Sequence, residues 1–254
     1  MPIAVDALQA AEKRQPIEVK DYTNTTSEED RYYATFYMGA PPDTTADTMT
    51  GMSRDKSLPQ AYLVEQPPGA TVPPHFHDTD QFQVFVGGEA SFGKSALEPV
   101  SVHFAGGHTP YGPIVTRERG THYFTLRVAW DGGGKPMPAS RDLLERGRAC
   151  HRLAEDVHSA TPDPGQGAEV IPFEANGLGA AVFALGAEED VTLSAPCNGG
   201  GQFALVTEGT VVFDDAPYGA RSCIFRGPDE AELKVRGGDA GARVLLLQFP
   251  ETNE

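Results

Sequence analysis

Histidine placement is the feature of this sequence that bears most directly on chemistry. Five of the seven histidines lie between His75 and His122, and none follows His158. A single residue separates His75 from His77, so in an extended strand both imidazoles point to the same face. Two imidazoles placed in this way can chelate one divalent ion. The alternative is a pair of strand histidines that are exposed or hydrogen-bonded within the protein.

Gln81 is a candidate third ligand. It follows His77 by four residues and therefore shares its face of an extended chain. Its amide oxygen is neutral, like the two imidazoles; the alternative is a plain polar strand residue. Paired prolines at 67–68 and 73–74 precede the histidines. Because proline fixes φ and removes an amide donor, these pairs stiffen the approach to both candidate ligands.

These residues resemble the first sequence motif of the cupin superfamily. That motif is a glycine, five residues, His-x-His, three or four residues, a glutamate, six residues and a second glycine. Gly69, His75, His77, position 81 and Gly88 fit the frame. The departure is Gln81, which stands where most metal-binding cupins have glutamate.

The resemblance is strong over about residues 60–130 and weaker over about 170–250. It implies an all-β bicupin, with two tandem jelly-roll (double-stranded β-helix) barrels joined by a short helical linker. Where the second barrel should carry histidines, residues 195–203 read APCNGGGQF. This barrel is therefore expected to be degenerate, to hold no transition metal and to play a structural role. We expect Cys197 within it to be a buried, inert thiol.

The last histidine of the metal set is harder to assign. The second cupin motif has a Pro-x-Gly turn followed by the final metal-binding histidine. Residues 110–112 (Pro-Tyr-Gly) match the turn, but Val115 occupies the histidine position. His108, beside the turn, is the first substitute, His103 the second and His122 the third. A site with only two histidines is the other option.

Further polar residues are candidates to line a pocket. Tyr111 is a candidate catalytic acid or hydrogen-bond donor, with packing beside the turn as the alternative. Gln83 shares the parity of Gln81 and is expected to face the pocket. Thr125 and Arg127 alternate with apolar residues. Arg127 is our choice to meet an anionic group of a substrate; the alternative is that both side chains face solvent.

The elements that must position these residues read mostly as short strands, rich in β-branched and aromatic residues and punctuated by glycine, proline and aspartate. Two stretches look like copies: Phe82–Gly93 and Phe203–Asp214 are each an aromatic-led strand, a glycine turn and a second strand, about 121 residues apart. The best helical pattern is Ser140–His158.

We divide the chain into three parts on these patterns. They are an N-terminal cupin domain with the metal site (1–130), a linker with a short helix (131–167) and a degenerate C-terminal cupin domain (168–254).

The composition argues against two classes of binding partner, nucleic acids and membranes. The 254 residues carry 36 acidic and 20 basic side chains, a formal net charge of −16. Such a surface repels nucleic-acid phosphates and anionic lipid headgroups. No apolar run is long enough to span a membrane, residues 1–22 lack the apolar core of a signal peptide, and the three cysteines have no CxxC spacing. We expect a cytoplasmic protein with no nucleic-acid or membrane partner.

The chemistry follows from the neutral ligand set. It leaves the charge of a divalent ion uncompensated, which strengthens Lewis acidity toward an enolate, carboxylate or catecholate. Imidazoles suit Fe, Ni, Mn, Zn and Cu. Within the range of cupin activities, we expect a metal-dependent oxidoreductase, dioxygenase-like, acting on a small oxygen-rich organic molecule. The alternative is a non-catalytic bicupin that binds a small ligand or is purely structural. The resemblance also implies a homo-oligomer, here a dimer, because cupin sheets often pair through their outer faces.

Overall fold

A computed structural model describes residues 1–17, 31–40, 53–145, 149–163 and 165–251. The described residues form nineteen strands, one α-helix and two single-turn 3-10 helices, which confirms the predicted all-β fold. The strands are β1 (Ile3–Val5), β2 (Arg14–Ile17), β3 (Tyr32–Met38), β4 (Gln60–Gln66), β5 (Thr71–Val72), β6 (His75–Phe76), β7 (Gln81–Phe92), β8 (Ser95–Leu97), β9 (Ser101–Ala105), β10 (Ile114–Arg127), β11 (Lys135–Pro136), β12 (His151–Ala154), β13 (Gly167–Ile171), β14 (Gly179–Leu185), β15 (Asp190–Leu193), β16 (Gln202–Phe213), β17 (Ala216–Gly219), β18 (Cys223–Arg226) and β19 (Leu233–Gln248). The helices are α1 (Ala7–Ala11) and the 3-10 helices Arg141–Leu143 and Val157–Ser159. No helix in these ranges is long and apolar enough to cross a membrane.

The chain divides into two compact units. The N-terminal unit comprises residues 12–156, and the C-terminal unit comprises residues 157–254 together with 1–11. The first residues join the C-terminal unit because β1 pairs antiparallel with β18, with Val5 opposite Cys223. Residues 131–156, most of the stretch predicted to be a linker, belong to the N-terminal unit. They contribute strands β11 and β12 to it.

The short linker helix predicted within Ser140–His158 is wrong. The described part of this stretch consists of the two 3-10 helices and strand β12. Strand β12 pairs with the edge strand β9, where Leu153 lies opposite His103. The sheet edge thus satisfies backbone groups that a helix would satisfy internally, and this pairing outweighs a helical pattern already weakened by Gly147.

The N-terminal unit is built on an antiparallel sheet of nine strands in the order β12-β9-β7-β10-β4-β3-β2, with β5 on β10 and β8 on β7. A separate two-stranded sheet pairs β6 with β11. The first five residues of β7 are all buried, so both faces of this strand are covered. Phe82 pairs with Phe104 on one face; Gln81 and Gln83 point to the other face, and the polar site described below is built there.

The C-terminal unit repeats this arrangement. Its sheet has eight strands in the order β1-β18-β16-β19-β14-β13, with β15 on β19 and β17 on β16. The long strands β16 and β19 pair in the same register as β7 and β10: Phe203 opposes Leu247 as Phe82 opposes Leu126.

Two further matches support the predicted internal duplication. The rings of Phe203 and Phe225 lie 4.9 Å apart between centroids, as do those of Phe82 and Phe104. Glycines also recur at matching places. Gly88 and Gly209 have φ values of +69° and +70°, and a Cβ on either would collide with the carbonyl oxygen of Gly120 or Gly241, respectively. These matched pairs all keep one constant spacing along the chain, as a tandem repeat requires.

Candidate metal and ligand site

His75 is fixed on β6 by both its backbone and its ring. Its backbone N–H donates to the carbonyl of Tyr111, and its own carbonyl accepts from the Tyr111 N–H, each at 3.0 Å. The ring Nδ1 lies 2.8 Å from the carbonyl oxygen of Pro73. A carbonyl oxygen can only accept, so we assign the proton to Nδ1, and Nε2 keeps its lone pair.

His77, just after β6, is oriented in the same way. Its Nδ1 lies 2.7 Å from Oδ1 of Asp131, a residue that sequence reasoning missed. The Asp131 carboxylate also accepts from the backbone N–H groups of Asp78 (3.1 Å) and Gly133 (2.8 Å). The centroids of the His75 and His77 rings are 5.4 Å apart. A carboxylate behind an imidazole is the usual device for orienting a metal-binding histidine.

The histidines of the site are held neutral. Burial, with repulsion from His77, lowers the pKa of His75 to about 3. Burial and the charge of Arg127 also lower the pKa of His77. Asp131 behaves in the opposite sense: burial opposes its ionisation, yet the hydrogen bond and charge interaction with His77 hold the pKa of its carboxyl well below the ordinary value. Neutral imidazole is the form that binds a metal.

Gln81 begins β7 and is almost fully buried. Its Nε2 donates to the hydroxyl oxygen of Tyr111, and its Oε1 accepts from Nη2 of Arg127 at 2.7 Å. The Tyr111 ring packs against His75 with centroids 4.5 Å apart. The predicted ligand Gln81 and the predicted catalytic residue Tyr111 therefore touch each other and lie beside the histidine pair.

Arg127 ends β10 with its side chain 0% exposed. Its Nη1 donates to Oε1 of Gln60 at 2.7 Å and to the hydroxyl of Tyr62 at 3.1 Å. Its Nη2 lies against the His77 ring, 3.1 Å from Nδ1 and 3.3 Å from Nε2. The guanidinium is therefore inside the unit, against two candidate metal ligands. The solvent-facing alternative for Arg127 is wrong.

His103 lies on β9, opposite Gln83 on β7. Its Nδ1 is 3.0 Å from Oε1 of Gln83, so we assign the proton to Nδ1 here too. Its Nε2 is buried and has no hydrogen-bond partner among the described residues. Burial, with repulsion from His151 and His75, lowers the pKa of His103 to about 3. The ring contacts Tyr111 at 5.1 Å between centroids.

The other predicted histidines make their contacts elsewhere. Nε2 of His108 is 3.4 Å from Oε1 of Glu145 and 3.8 Å from Oδ1 of Asp78, and its Nδ1 is 3.2 Å from the Leu143 carbonyl oxygen. His122 lies within β10, paired with Gly87. The structure thus gathers His75, His77, Gln81, Tyr111 and Arg127, with Gln83 and His103 joined to them through Tyr111.

The residues fit a transition metal in part. The described ranges contain no group of three or more His, Cys, Asp or Glu side chains placed to hold one ion. What they offer is a neutral set, consisting of the two unprotonated imidazole nitrogens of His75 and His77 and the amide oxygen of Gln81. His103 presents a third unprotonated nitrogen, which is the orphaned atom that a ligand would satisfy.

The C-terminal unit has neutral or apolar residues at the matching positions. Gln202 stands where Gln81 does, and its Nε2 donates to Oε1 of Gln248 at 2.6 Å. Ala204 and Ile224 face each other where Gln83 and His103 do. Cys197 is partly buried, less deeply than expected, and its thiol lies 3.5 Å from a backbone carbonyl.

Comparison with known proteins gives likeness of structure. No family model and no curated protein sequence matches the chain. A putative dioxygenase from Nostoc punctiforme has a TM-score of 0.65 at 12% identity, over 100% of this chain and 84% of the other. A bacterial pirin from Escherichia coli in complex with nickel(II) has a TM-score of 0.58 at 10% identity, over 99% and 100%. Oxalate decarboxylase from Bacillus subtilis has a TM-score of 0.52 at 12% identity, over 94% and 78%.

These likenesses, the antiparallel sheets and the His-x-His motif define a protein of the cupin fold, as the motif at Gly69–Gly88 predicts. More particularly, the chain carries two units of antiparallel sheet with matching strand pairing, and the candidate site lies in the N-terminal unit.

Proposed function

We propose that this protein is a metal-dependent oxidoreductase, dioxygenase-like, that acts on a small oxygen-rich organic molecule within the N-terminal unit. The observation that carries the proposal is the orientation of His75 and His77. Nδ1 of each ring lies within 2.8 Å of a fixed oxygen, so in the tautomer assigned above each Nε2 is unprotonated. The likeness in fold to a putative dioxygenase and to a nickel-bound pirin supports the same class of protein.

A divalent ion (Fe, Ni, Mn, Zn or Cu) held by His75, His77 and Gln81 would supply Lewis acidity and, if redox-active, activation of O₂. The chain's own residues contribute the rest. Asp131 keeps the His77 ring in one orientation. Tyr111, in contact with Gln81, is the candidate proton donor to a bound substrate. Burial of the whole cluster excludes bulk water, which strengthens every electrostatic contact.

Metal analysis tests the proposal. Protein purified without added metal should contain about one transition-metal ion per chain by plasma mass spectrometry, on the stoichiometry of one site per bicupin. The double substitution of His75 and His77 by alanine should remove the ion, whereas His122→Ala, in the same unit but outside the cluster, should retain it. Native protein that neither contains nor takes up a transition metal would overturn the enzyme proposal.

One observation favours a second candidate, a bicupin that binds a small ligand without metal or turnover. Nη2 of Arg127 already contacts Oε1 of Gln81 and lies 3.3 Å from Nε2 of His77. A guanidinium about 4 Å from a divalent ion is repelled by several kcal/mol at an effective dielectric constant of about 20. If this candidate is right, stripping the metal leaves ligand affinity unchanged. Calorimetric titrations of stripped and reloaded protein separate the two candidates.

The quaternary state and the compartment are proposals of the same kind. We propose a cytoplasmic homodimer that takes a small molecule as its partner. Light scattering behind a size-exclusion column should give twice the 27.1 kDa mass of one chain. A monomer across micromolar concentrations would overturn the dimer.

A further inference from the structure

Arg127 is a buried cation whose hydrogen bonds go to neutral groups. It donates to Gln60, Tyr62 and Gln81, and its Nη2 lies against both ring nitrogens of the neutral His77. Its side chain is 0% exposed, and its Nε has no hydrogen-bond partner among the described residues. Buried charges in proteins are normally paired with an opposite charge, because removing an unpaired charge from water is costly. The guanidinium therefore has a spare donor, and none of these hydrogen bonds reaches an anion.

Asp131 does not meet that need directly. Its charge acts on Arg127 through space, but its oxygens accept from His77, from two backbone N–H groups and from the Thr79 hydroxyl. Among the residues that the structure describes, no ion pair within 4.0 Å joins Arg127 to a carboxylate. The long-range attraction helps to keep the guanidinium buried, and it leaves the Nε–H unused.

The C-terminal unit shows what the fold alone requires at this position. There Gln248 stands at the place of Arg127, and a neutral amide bond from Gln202 to Gln248 joins the two central strands. A neutral amide side chain is therefore sufficient to link the two central strands at this position. The charge on Arg127 needs another explanation, and it occurs in the unit that also carries the histidines.

We propose that Arg127 is the anion-binding residue of the N-terminal site and that the ligand of this site is a small monocarboxylate, whose oxygen accepts the Nε–H. The proposal rests on the location of the ligand site proposed above and adds the class of substrate. A monoanion matches one guanidinium. A phosphate dianion would place surplus negative charge near the Asp131 carboxylate, which lies beside the same cluster through its contact with His77.

Nuclear magnetic resonance observes this donor directly. In ¹⁵N-labelled protein, the Nε–H signal of Arg127 is assigned by its loss in Arg127→Gln, a substitution that copies the amide found in the C-terminal unit. Sodium formate is the probe, titrated at constant ionic strength into metal-stripped and zinc-loaded protein. We expect a saturable shift of the Arg127 signal, and a formate affinity at least tenfold lower in Arg127→Gln by the remaining site signals.

Controls separate charge from fold and from metal. Arg119→Gln changes an exposed arginine on the same strand and should leave formate binding unchanged. If Arg127→Gln does not fold, Arg127→Lys gives the assignment instead. Formamide, neutral and of similar size, should cause no saturable shift. The proposal is overturned if formate gives no saturable shift in either form, or if formamide matches it. Metal content is measured on the same samples, so a failed metal site shows as absent metal with formate binding intact.

Discussion

Replacing Asp131 tests how the site is held together. The carboxylate fixes His77 through a 2.7 Å contact, accepts two backbone N–H groups, and is a negative charge that acts on Arg127. Asp131→Ala removes all of these at once. Asp131→Asn removes the charge but keeps an oxygen that can accept from the imidazole.

The magnitude follows from the hydrogen bonds and the charge interaction that each substitution removes. A hydrogen bond to a charged group contributes about 1.5–3 kcal/mol, and Asp131→Ala removes those from His77, Asp78 and Gly133. The loss of the longer-range attraction to Arg127 adds to this cost. We therefore expect Asp131→Ala to lower the free energy of unfolding by about 3–5 kcal/mol, and Asp131→Asn by roughly half of that. Asp142→Ala, at an exposed aspartate of the same unit, should cost less than about 0.5 kcal/mol.

Urea unfolding followed by tryptophan fluorescence gives these values, since the chain has one tryptophan, next to Asp131. The pKa of Asp131 is lowered by folding, so its contribution is complete above the unfolded pKa of about 4 and is lost as the pH falls below that. The gap between native protein and Asp131→Asn should thus be constant from about pH 5 to 8 and shrink below about pH 4. Equal stability of Asp131→Ala and Asp142→Ala would refute the reasoning.

Two further predictions concern the loss of stability at low pH and the cost of replacing a turn glycine by alanine. Folding lowers the pKa of His75 and His103 to about 3, so the unfolded chain binds more protons between about pH 6.5 and 3. The free energy of unfolding should therefore decrease as the pH decreases, by about 1.4 kcal/mol per pH unit for each histidine. His103→Asn, which keeps a donor for Gln83, should remove the contribution of one histidine, and an unchanged slope in urea titrations would contradict the assignment. Gly88→Ala should cost at least about 2 kcal/mol more than Gly93→Ala, because both have positive φ but only the former would meet a carbonyl oxygen. Equal thermal shifts for the two would show that the close approach at Gly88 is unimportant.

Features set by residues close in sequence can be predicted from the sequence alone. The alternation of a strand places Gln81 and Gln83 on one face, and a motif of about twenty residues is enough to identify the paired imidazoles of His75 and His77. The same alternation makes Arg127 a candidate for the pocket, although it does not indicate which groups the guanidinium contacts.

Contacts that depend on how distant strands pair could not be predicted from the sequence. Asp131 meets His77 across 54 residues, and nothing near Asp131 in the sequence indicates that contact. His103 joins the cluster and His108 does not, because the register of β9 on β7 places His103 opposite Gln83. The same kind of long-range pairing, of β12 with β9, takes the place of the expected helix.

The pairing of β1 with β18 has a consequence for how the molecule is made and handled. Val5 is synthesised roughly ten seconds or more before Cys223, its partner, at translation rates of about 5–20 residues per second. In that interval the whole N-terminal unit is synthesised, and β1 has no β18 to pair with. Deletion of residues 1–11 is therefore expected to disturb the C-terminal unit, which is synthesised last, and to spare the histidine cluster.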